Sequence, residues 1–543
     1  MDFQRLFLFL IFSFSALLLW DGWQRYQHTT PESISAPTAS AEKSALPQTS
    51  SSEVSATDSV KIAEKSSTVQ GQKIVVRTDN LLVTLNTLGG DIQRVELLQH
   101  KDAIDKNKPL ILLQQQENHT YIAQTGLIGE GLPNHNTLFT ADAQEYHLTD
   151  DKDTIVVKLV ASPTITKVLT FHRGNYLIDV GYEIENKGTS PFSTSAYYQL
   201  VRNEGAPSGD SKLVPTYTGA AIYTEQEKFQ KVEFSNIEKN KVNYPKSADN
   251  GWVAMLQHYF VAAWLPADKV KREYYSKALG NKLYSIGTIL PIPTIVPGQK
   301  GGISASLYVG PATSKLDNVA PGLGLTVDYG WLTIIATPLF WLLTQIQGWV
   351  QNWGVAIIVL TVLIKLAFFP LSAASYRSMA RMRIVAPKLE KIKQQYSDDR
   401  EKLNRAMMEL YKTEKINPLG GCLPMIIQIP VFISLYWAIL SSVELRHAPF
   451  FGWITDLSSA DPYYVLPAIM GISMLIQSKL SPAPPDPLQA KLMQLMPVIF
   501  SVVFFFFPAG LVLYSVVNNV LSITQQWYIT RKQETGQSVA TKP

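Results

Sequence analysis

The sequence predicts an α-helical polytopic membrane protein of six spans that carries a large external all-β sandwich domain. Three observations lead there. Charged residues make up 17% of the 543-residue chain, against about 25% in a typical soluble protein. That shortfall is concentrated in apolar runs near the N-terminus and in the last third. Between those runs, residues 73–325 alternate apolar and polar side chains with period 2, the pattern of strands with one buried face. The loops between the C-terminal runs are also unequal in Lys and Arg, which is what orients a helical membrane protein. The net charge of +4 is modest and does not point to a nucleic-acid binder. The single cysteine, Cys422, excludes an internal disulfide.

Each element follows in chain order. Residues 1–26 contain LFLFLIFSFSALLLW after Arg5 and end in bulky residues with no small-x-small cleavage site. An uncleaved signal anchor therefore fits better than a removed signal peptide. Residues 27–72 are rich in Ser, Thr, Ala, Pro, Glu and Lys, with almost no aromatic side chain. Such a segment has too little apolar surface to offset its ordering entropy and reads as a disordered linker. In 73–325 the runs KIVVRT, LLVTLNT, TIVVKLV, KVLTFHRGNYLIDVGYEIENKG and SASLYVG are strands, with Asn186-Lys187-Gly188 a turn. The pattern implies a β-sandwich and leaves its strand order open. His100, His119, His135, His147, His172 and His258 are scattered through it without metal-ligand spacing, so no metal or other cofactor is expected.

Residues 326–353 include WLTIIATPLFWLL, too short to span and interrupted by Pro338. With Trp331, Trp341, Trp349 and Trp353 around it, this segment reads as an amphipathic stretch in the membrane interface. Five spans follow, at 354–372, 423–442, 463–480, 491–508 and 509–529, joined by 373–422, 443–462 and 481–490 and followed by a tail, 530–543. The 373–422 loop carries eleven Lys and Arg residues and the 443–462 loop only Arg446. By the positive-inside rule the first is cytoplasmic and the second external. The β domain is then external and both termini are cytoplasmic. Within the basic loop, Val385, Leu389, Ile392 and Tyr396 recur at helical spacing, as do Leu403, Met407 and Leu410. Ser397-Asp398-Asp399 between them is a turn and cap signal. Two short antiparallel amphipathic helices are expected, with a solvated connector as the alternative. The basic residues suit anionic lipid headgroups.

The span 354–372 holds one charge, Lys365, with apolar neighbours on both sides in VLTVLIKLAFFPL. An ammonium at a bilayer centre costs roughly 2.5–3.5 kcal/mol on insertion scales. Taken alone, it reads equally well as a lysine snorkelling to the headgroups. Thr361, Gln428, Ser434, Ser473, Gln477, Ser501, Ser515, Asn518, Asn519 and Gln525 lie in the same set of spans. Intramembrane polar groups face a bundle interior or a wet cavity, so together they imply a water-accessible polar cavity. The five C-terminal spans contain no Asp or Glu, which counts against proton- or sodium-coupled transport and leaves a passive channel open. Pro424, Pro430, Pro497 and Pro508 interrupt or border these spans, where neighbours must re-satisfy the freed carbonyls. There is no G-x-x-x-x-G-K-[ST] loop to hold a nucleotide.

NPLGGCLPMIIQIPVFISLY (417–436) and PVIFSVVFFFFPAGLVLYSVVNNVLSITQQW (497–527) resemble the signature of the YidC/Oxa/Alb family of membrane protein insertases, as does SYRSMARMRIVAPKLEKIKQQYSDDREKLNRAMMELYKTEKINP (375–418). The resemblance covers about 330–531; the anchor, linker and external β domain resemble the Gram-negative arrangement of that family. It implies a five-helix core around a polar groove, open to the cytoplasm and laterally to lipid, that inserts and helps fold inner-membrane proteins, alone or with the Sec translocon. By residue-by-residue matching, Lys365, Thr361, Gln428 and Asn519 would line the groove, and Ile429, Phe432 and Tyr514 would form the apolar face along which a substrate helix slides. The 373–422 hairpin, with Leu389, Ile392, Leu403 and Leu410, would be a mobile lid. Bacterial members commonly have arginine where this chain has Lys365; charge is kept and the planar five-donor fork is lost, so attraction rather than bidentate pairing is implied. Nascent membrane proteins and lipids are the implied partners, and the ribosome a further one, although the tail offers only Arg531, Lys532 and Lys542. No enzyme activity or cofactor is implied. Two other classes stay open on the residues alone: a passive channel or transporter, and a membrane-anchored periplasmic carbohydrate-binding protein or envelope enzyme.

Overall fold

A computed structural model of the chain describes residues 71–540, apart from 117–118, 206, 208–215, 397–398, 415–422 and 481–486. The predicted anchor, 1–26, and nearly all of the predicted linker, 27–72, lie outside the described residues.

Period-2 patterning becomes two sheets. In Leu81–Asn86, Leu81, Val83 and Leu85 are buried while the residues between them are half-exposed. Ten strands form the larger sheet, whose centre runs Arg272–Gly280, Leu283–Pro291, Ser195–Asn203, His119–Ile128 in spatial order. Nine form the second, with Gly219–Thr224, Trp252–Gln257, Phe260–Pro266, Lys300–Pro311, Leu177–Glu185 and Ile165–His172 side by side. Among the described strands, pairing is antiparallel except where Lys73–Arg77 runs parallel to Glu145–His147. The apolar faces of the two sheets share one core, from Ile74 and Val76 through Trp264 to Val309. The expected sandwich is present. Its strand order, with Ser195–Asn203 between strands from distant parts of the chain, is what period 2 could not supply.

Helices follow: α1 (Phe234–Glu238) within the sandwich, then α2 (Thr333–Val350), α3 (Trp353–Ala367), α4 (Phe369–Gln395), α5 (Arg400–Thr413), α6 (Leu423–Ser441), α7 (Val465–Leu480), α8 (Pro487–Phe504) and α9 (Ala509–Ala540). Four features add detail to the expected plan. The segment read as an interfacial stretch too short to span forms an 18-residue helix, α2, with Pro338 inside it, and it is not among the helices apolar enough to cross a membrane. It is two-faced: Ala336, Phe340, Leu343 and Ile346 are buried, and Ile334, Trp341 and Trp349 are exposed. The span expected at 354–372 is broken, because α3 ends at Ala367 and the chain turns by 67° into Phe369–Met382. Pro370 sits in the first turn of α4, where its missing N–H is harmless; in a continuous helix it would have cost a hydrogen bond and a clash. The first hairpin helix is 27 residues long rather than short, since nothing helix-breaking separates the bend from Gln395 except Pro387, which the helix absorbs. Finally, α9 continues through most of the expected tail to Ala540.

Among the described residues no single helix is long and apolar enough to cross a membrane. The bent α3–α4 pair passes that test together, and Gln428–Ser441, Val465–Leu480 and Leu495–Phe504 are shorter apolar stretches. Helix length therefore does not carry the count of six spans.

The outer face of the second sheet does not end in water. Tyr223, Trp252, Leu256 and Tyr308 join Leu323, Val327 and Tyr329, and through them Phe340, Leu360, Leu435, Leu457 and Val512 of the helices and loop, in a second apolar core. Polar contacts reinforce this junction: Ser441 Oγ donates to Asp328 O at 2.6 Å, and the Arg446 guanidinium lies 5.6 Å over the Phe260 ring. The loop after α6 is braced by Asp456, whose carboxylate accepts from His447 N at 3.0 Å and from Ser458 and Ser459.

Candidate functional site

Lys365 lies one helical turn after Thr361, so both project from the same side of α3. That side is buried: Thr361 is enclosed, and Lys365 is only 9% exposed. Thr361 Oγ1 donates to its own helix, to Ile357 O at 2.6 Å. Lys365 Nζ crosses to α9 and donates to Ser522 Oγ at 2.8 Å. Among the described residues no carboxylate is paired with Lys365, and the apolar composition of the surrounding helices explains why none is near.

The α9 face that meets Lys365 is a polar stripe. Ser515, Asn519, Ser522 and Gln526 are all buried and spaced 4, 3 and 4, as one side of a helix requires. Asn519 Nδ2 donates to Ser473 Oγ of α7 at 3.3 Å and lies 3.4 Å from Met470 Sδ. Gln526 Nε2 donates to Leu480 O, at the end of α7, at 3.0 Å. Ser372 and Ser375, just past the α3–α4 bend, are buried too. A small cluster of Ala373, Tyr376 and Ile529 ties α4 to α9 below. The result is a column of hydroxyls and amides between α3, α7 and α9 with one cation in it.

The remaining predicted residues divide. Gln428 does not join Lys365; its Nε2 donates to the Tyr514 hydroxyl. Tyr514 is 1% exposed and its ring lies 6.2 Å from that of Phe432, so it fills the space between α6 and α9. Phe432 is half-buried. Ile429 alone of the three apolar residues points outward, 51% exposed. In the hairpin Leu389 is buried and Ile392, Leu403 and Leu410 are half-buried; the Lys388–Glu414 ion pair, at 2.6 Å, holds α4 to the end of α5. Asp399 caps α5, accepting from Glu401 N and Lys402 N at 3.1 Å each, in line with the expected cap signal.

Ser522 and Gln526 were not among the residues expected from the sequence, which pointed to Gln525 instead. Their 4-3-4 spacing with Ser515 and Asn519 was the available signal. Among the described residues, no three His, Cys, Asp or Glu side chains come together as a metal site.

Two family models match the chain. The YidC periplasmic domain matches residues 73–342, and the 60Kd inner membrane protein matches residues 345–536. The membrane protein insertase YidC of Nitrosospira multiformis is 53% identical over 556 residues, covering 98% of each chain. The protein of the same name from Methylobacillus flagellatus is also 53% identical, over 543 residues and 98% of each chain. The chain belongs to the YidC family of membrane protein insertases. A solved structure described as an active YidC insertase with its first transmembrane domain resolved covers 84% of this chain and 95% of its own, at 18% identity and a TM-score of 0.40. The sandwich is thus the periplasmic domain of a YidC-family protein, and every residue singled out above for the groove and the apolar face lies in the part matched by the inner membrane protein model.

Proposed function

We propose that this membrane protein insertase draws the hydrophilic flank of an inserting chain into the polar column around Lys365 while the apolar segment moves into lipid past α6. The insertase activity follows from family membership; the route is our reading, and one observation carries it. Lys365 is buried in an otherwise apolar helix against a hydroxyl, with no paired carboxylate among the described residues. A cation so placed attracts carboxylates and carbonyl oxygens far more strongly than one in bulk water.

A flank crossing a bilayer faces a desolvation cost of several kcal/mol for each bare polar group. A hydrated column reaching partway across shortens the dry distance. Lys365 attracts the flank, Thr361 and Asn519 line its path, and the partition of the apolar segment into lipid drives the step without nucleotide hydrolysis. Ile429, already outward, begins the apolar face. Phe432 and Tyr514 extend that face when α6 and α9 part, and Gln428 guards the same seam through its bond to Tyr514. In this reading the chain crosses the membrane six times with both termini cytoplasmic, α3 and α4 sharing one bent crossing. The α4–α5 hairpin receives substrate on the cytoplasmic side, and the basic residues of 373–422 favour that orientation.

The test uses purified protein in liposomes and a single-span substrate with an acidic flank, scored by protease protection of the flank. Insertion that needs the protein, falls with Lys365→Ala and survives with Lys365→Arg supports the reading. Insertion that needs the protein but is equal in all three leaves the insertase and removes the role of the charge.

A further inference from the structure

We propose that Ser522 is the positioning residue that holds the Lys365 ammonium inside the column and thereby sets the preference for acidic flanks. This rests on the reading that Lys365 receives the flank.

Three observations support it. First, the single proton of Ser522 is committed: Oγ donates to Asn518 O at 2.7 Å, one turn back in α9. Its lone pairs are therefore what it offers across the gap, and Lys365 Nζ meets one of them at 2.8 Å. An ammonium has three N–H donors; this contact uses one and leaves two for oxygens of an incoming chain. Second, Ser522 is buried, so its oxygen is a fixed acceptor on the wall of the column rather than one exchanging with bulk solvent. Third, the neighbours on the stripe are already engaged, Asn519 with Ser473 and Gln526 with the end of α7. A lysine stem is long and flexible, and without an anchor it swings toward headgroups. Ser522 turns a side chain able to snorkel into a fixed interior charge. An arginine, with five donors in a planar fork, has less need of one acceptor in one place, so the serine matters most in a chain that carries lysine here.

The experiment uses full-length protein in liposomes and two single-span substrates that differ only in an acidic or a neutral flank. The readout is the ratio of their insertion rates for the natural protein, Ser522→Ala, Ser522→Cys, Ser522→Thr, Lys365→Ala and the Lys365→Ala/Ser522→Ala double variant. Expected are a fall in the acidic-to-neutral ratio of about fivefold or more with alanine or cysteine, as for losing a hydrogen bond to a charged group. Threonine should restore the ratio to within about twofold, and the serine change should have no further effect once Lys365 is alanine. A ratio that collapses with Lys365→Ala but stays intact with Ser522→Ala and Ser522→Cys overturns this inference alone. A ratio indifferent to Lys365→Ala overturns the underlying reading and the inference with it. Equal slowing of both substrates by the serine variants, persisting in the double variant, assigns Ser522 to helix packing and also overturns it.

Discussion

His258 of the sandwich lies with Nε2 2.9 Å from the carbonyl oxygen of Leu440, 182 residues further on and near the end of α6. A carbonyl only accepts, so His258 donates from Nε2. This bond, the Ser441–Asp328 contact and the shared apolar core dock the periplasmic domain directly on the helix that bears Gln428, Ile429 and Phe432.

Removing that donor should loosen the joint locally. His258→Ala is expected to cost about 1 kcal/mol and to speed amide hydrogen exchange around 438–445, with strands far from the joint unchanged. Exchange as slow as in the natural protein would mean that the apolar core alone fixes the docking.

The joint is also expected to weaken in acid. His100 points at it from Asp91–Lys101, with the Tyr176 hydroxyl 3.3 Å from its Nε2 and its ring edge-on to Phe260 at 5.4 Å. Burial first, then the charges of Arg446 and His447, push its pKa from an ordinary 6.5 down to about 4. Between those values the unfolded chain binds a proton that the folded chain refuses, so stability rises with pH across that window. The contribution is complete above about 6.5 and lost as pH falls toward 4. Melting of the natural protein should therefore drop between pH 6.5 and 4, and His100→Gln should flatten the drop. His447, also held low by burial and by Arg446, would leave a residual slope of the same sign.

The seam between α6 and α9 offers a third outcome. With Tyr514 enclosed and Ile429 exposed, a photo-crosslinker at 429 should capture a passing substrate more efficiently than one at 514. Gln428→Ala frees the Tyr514 hydroxyl and should raise capture by a crosslinker at the neighbouring position 432 severalfold. High capture at 432 in the otherwise natural protein would mean that the seam is open without that change.

In the hairpin, Asp399→Ala removes the acceptor for two backbone N–H groups of α5. Exchange across 400–413 is expected to quicken by roughly threefold to tenfold, as for a lost N-cap, and Asp399→Asn should largely preserve protection.

Much of this is legible in the sequence because it is local. Leu81, Val83 and Leu85 alternate in the sequence and alternate in burial. Asp399 sits where a cap is needed and caps. Lys365 stands out among its apolar neighbours in the sequence alone. Less legible was anything that depended on one element meeting another. The bend after Ala367 could have been read from Pro370, but an apolar run reads as one span until the chain is seen to turn. Gln525 and Gln526 are adjacent and chemically identical; only the rotation of α9 against α7 selects the second.

What the sequence determined by itself is the character of each element: which residues alternate, which repeat every third or fourth position, where a helix starts, which loop is basic, and which family the chain joins. Those properties are set by backbone geometry over a few residues and by the partition of side chains between water and apolar surroundings. The tertiary structure decided the partners. It placed Lys365 against Ser522, 157 residues away, closed Tyr514 behind Gln428, and set the histidine of a β turn on the end of α6. Periodicity states which face of a helix must be covered and is silent on which neighbour covers it. That choice is made by shape and hydrogen bonding between segments far apart in the chain, after their local structure is already determined.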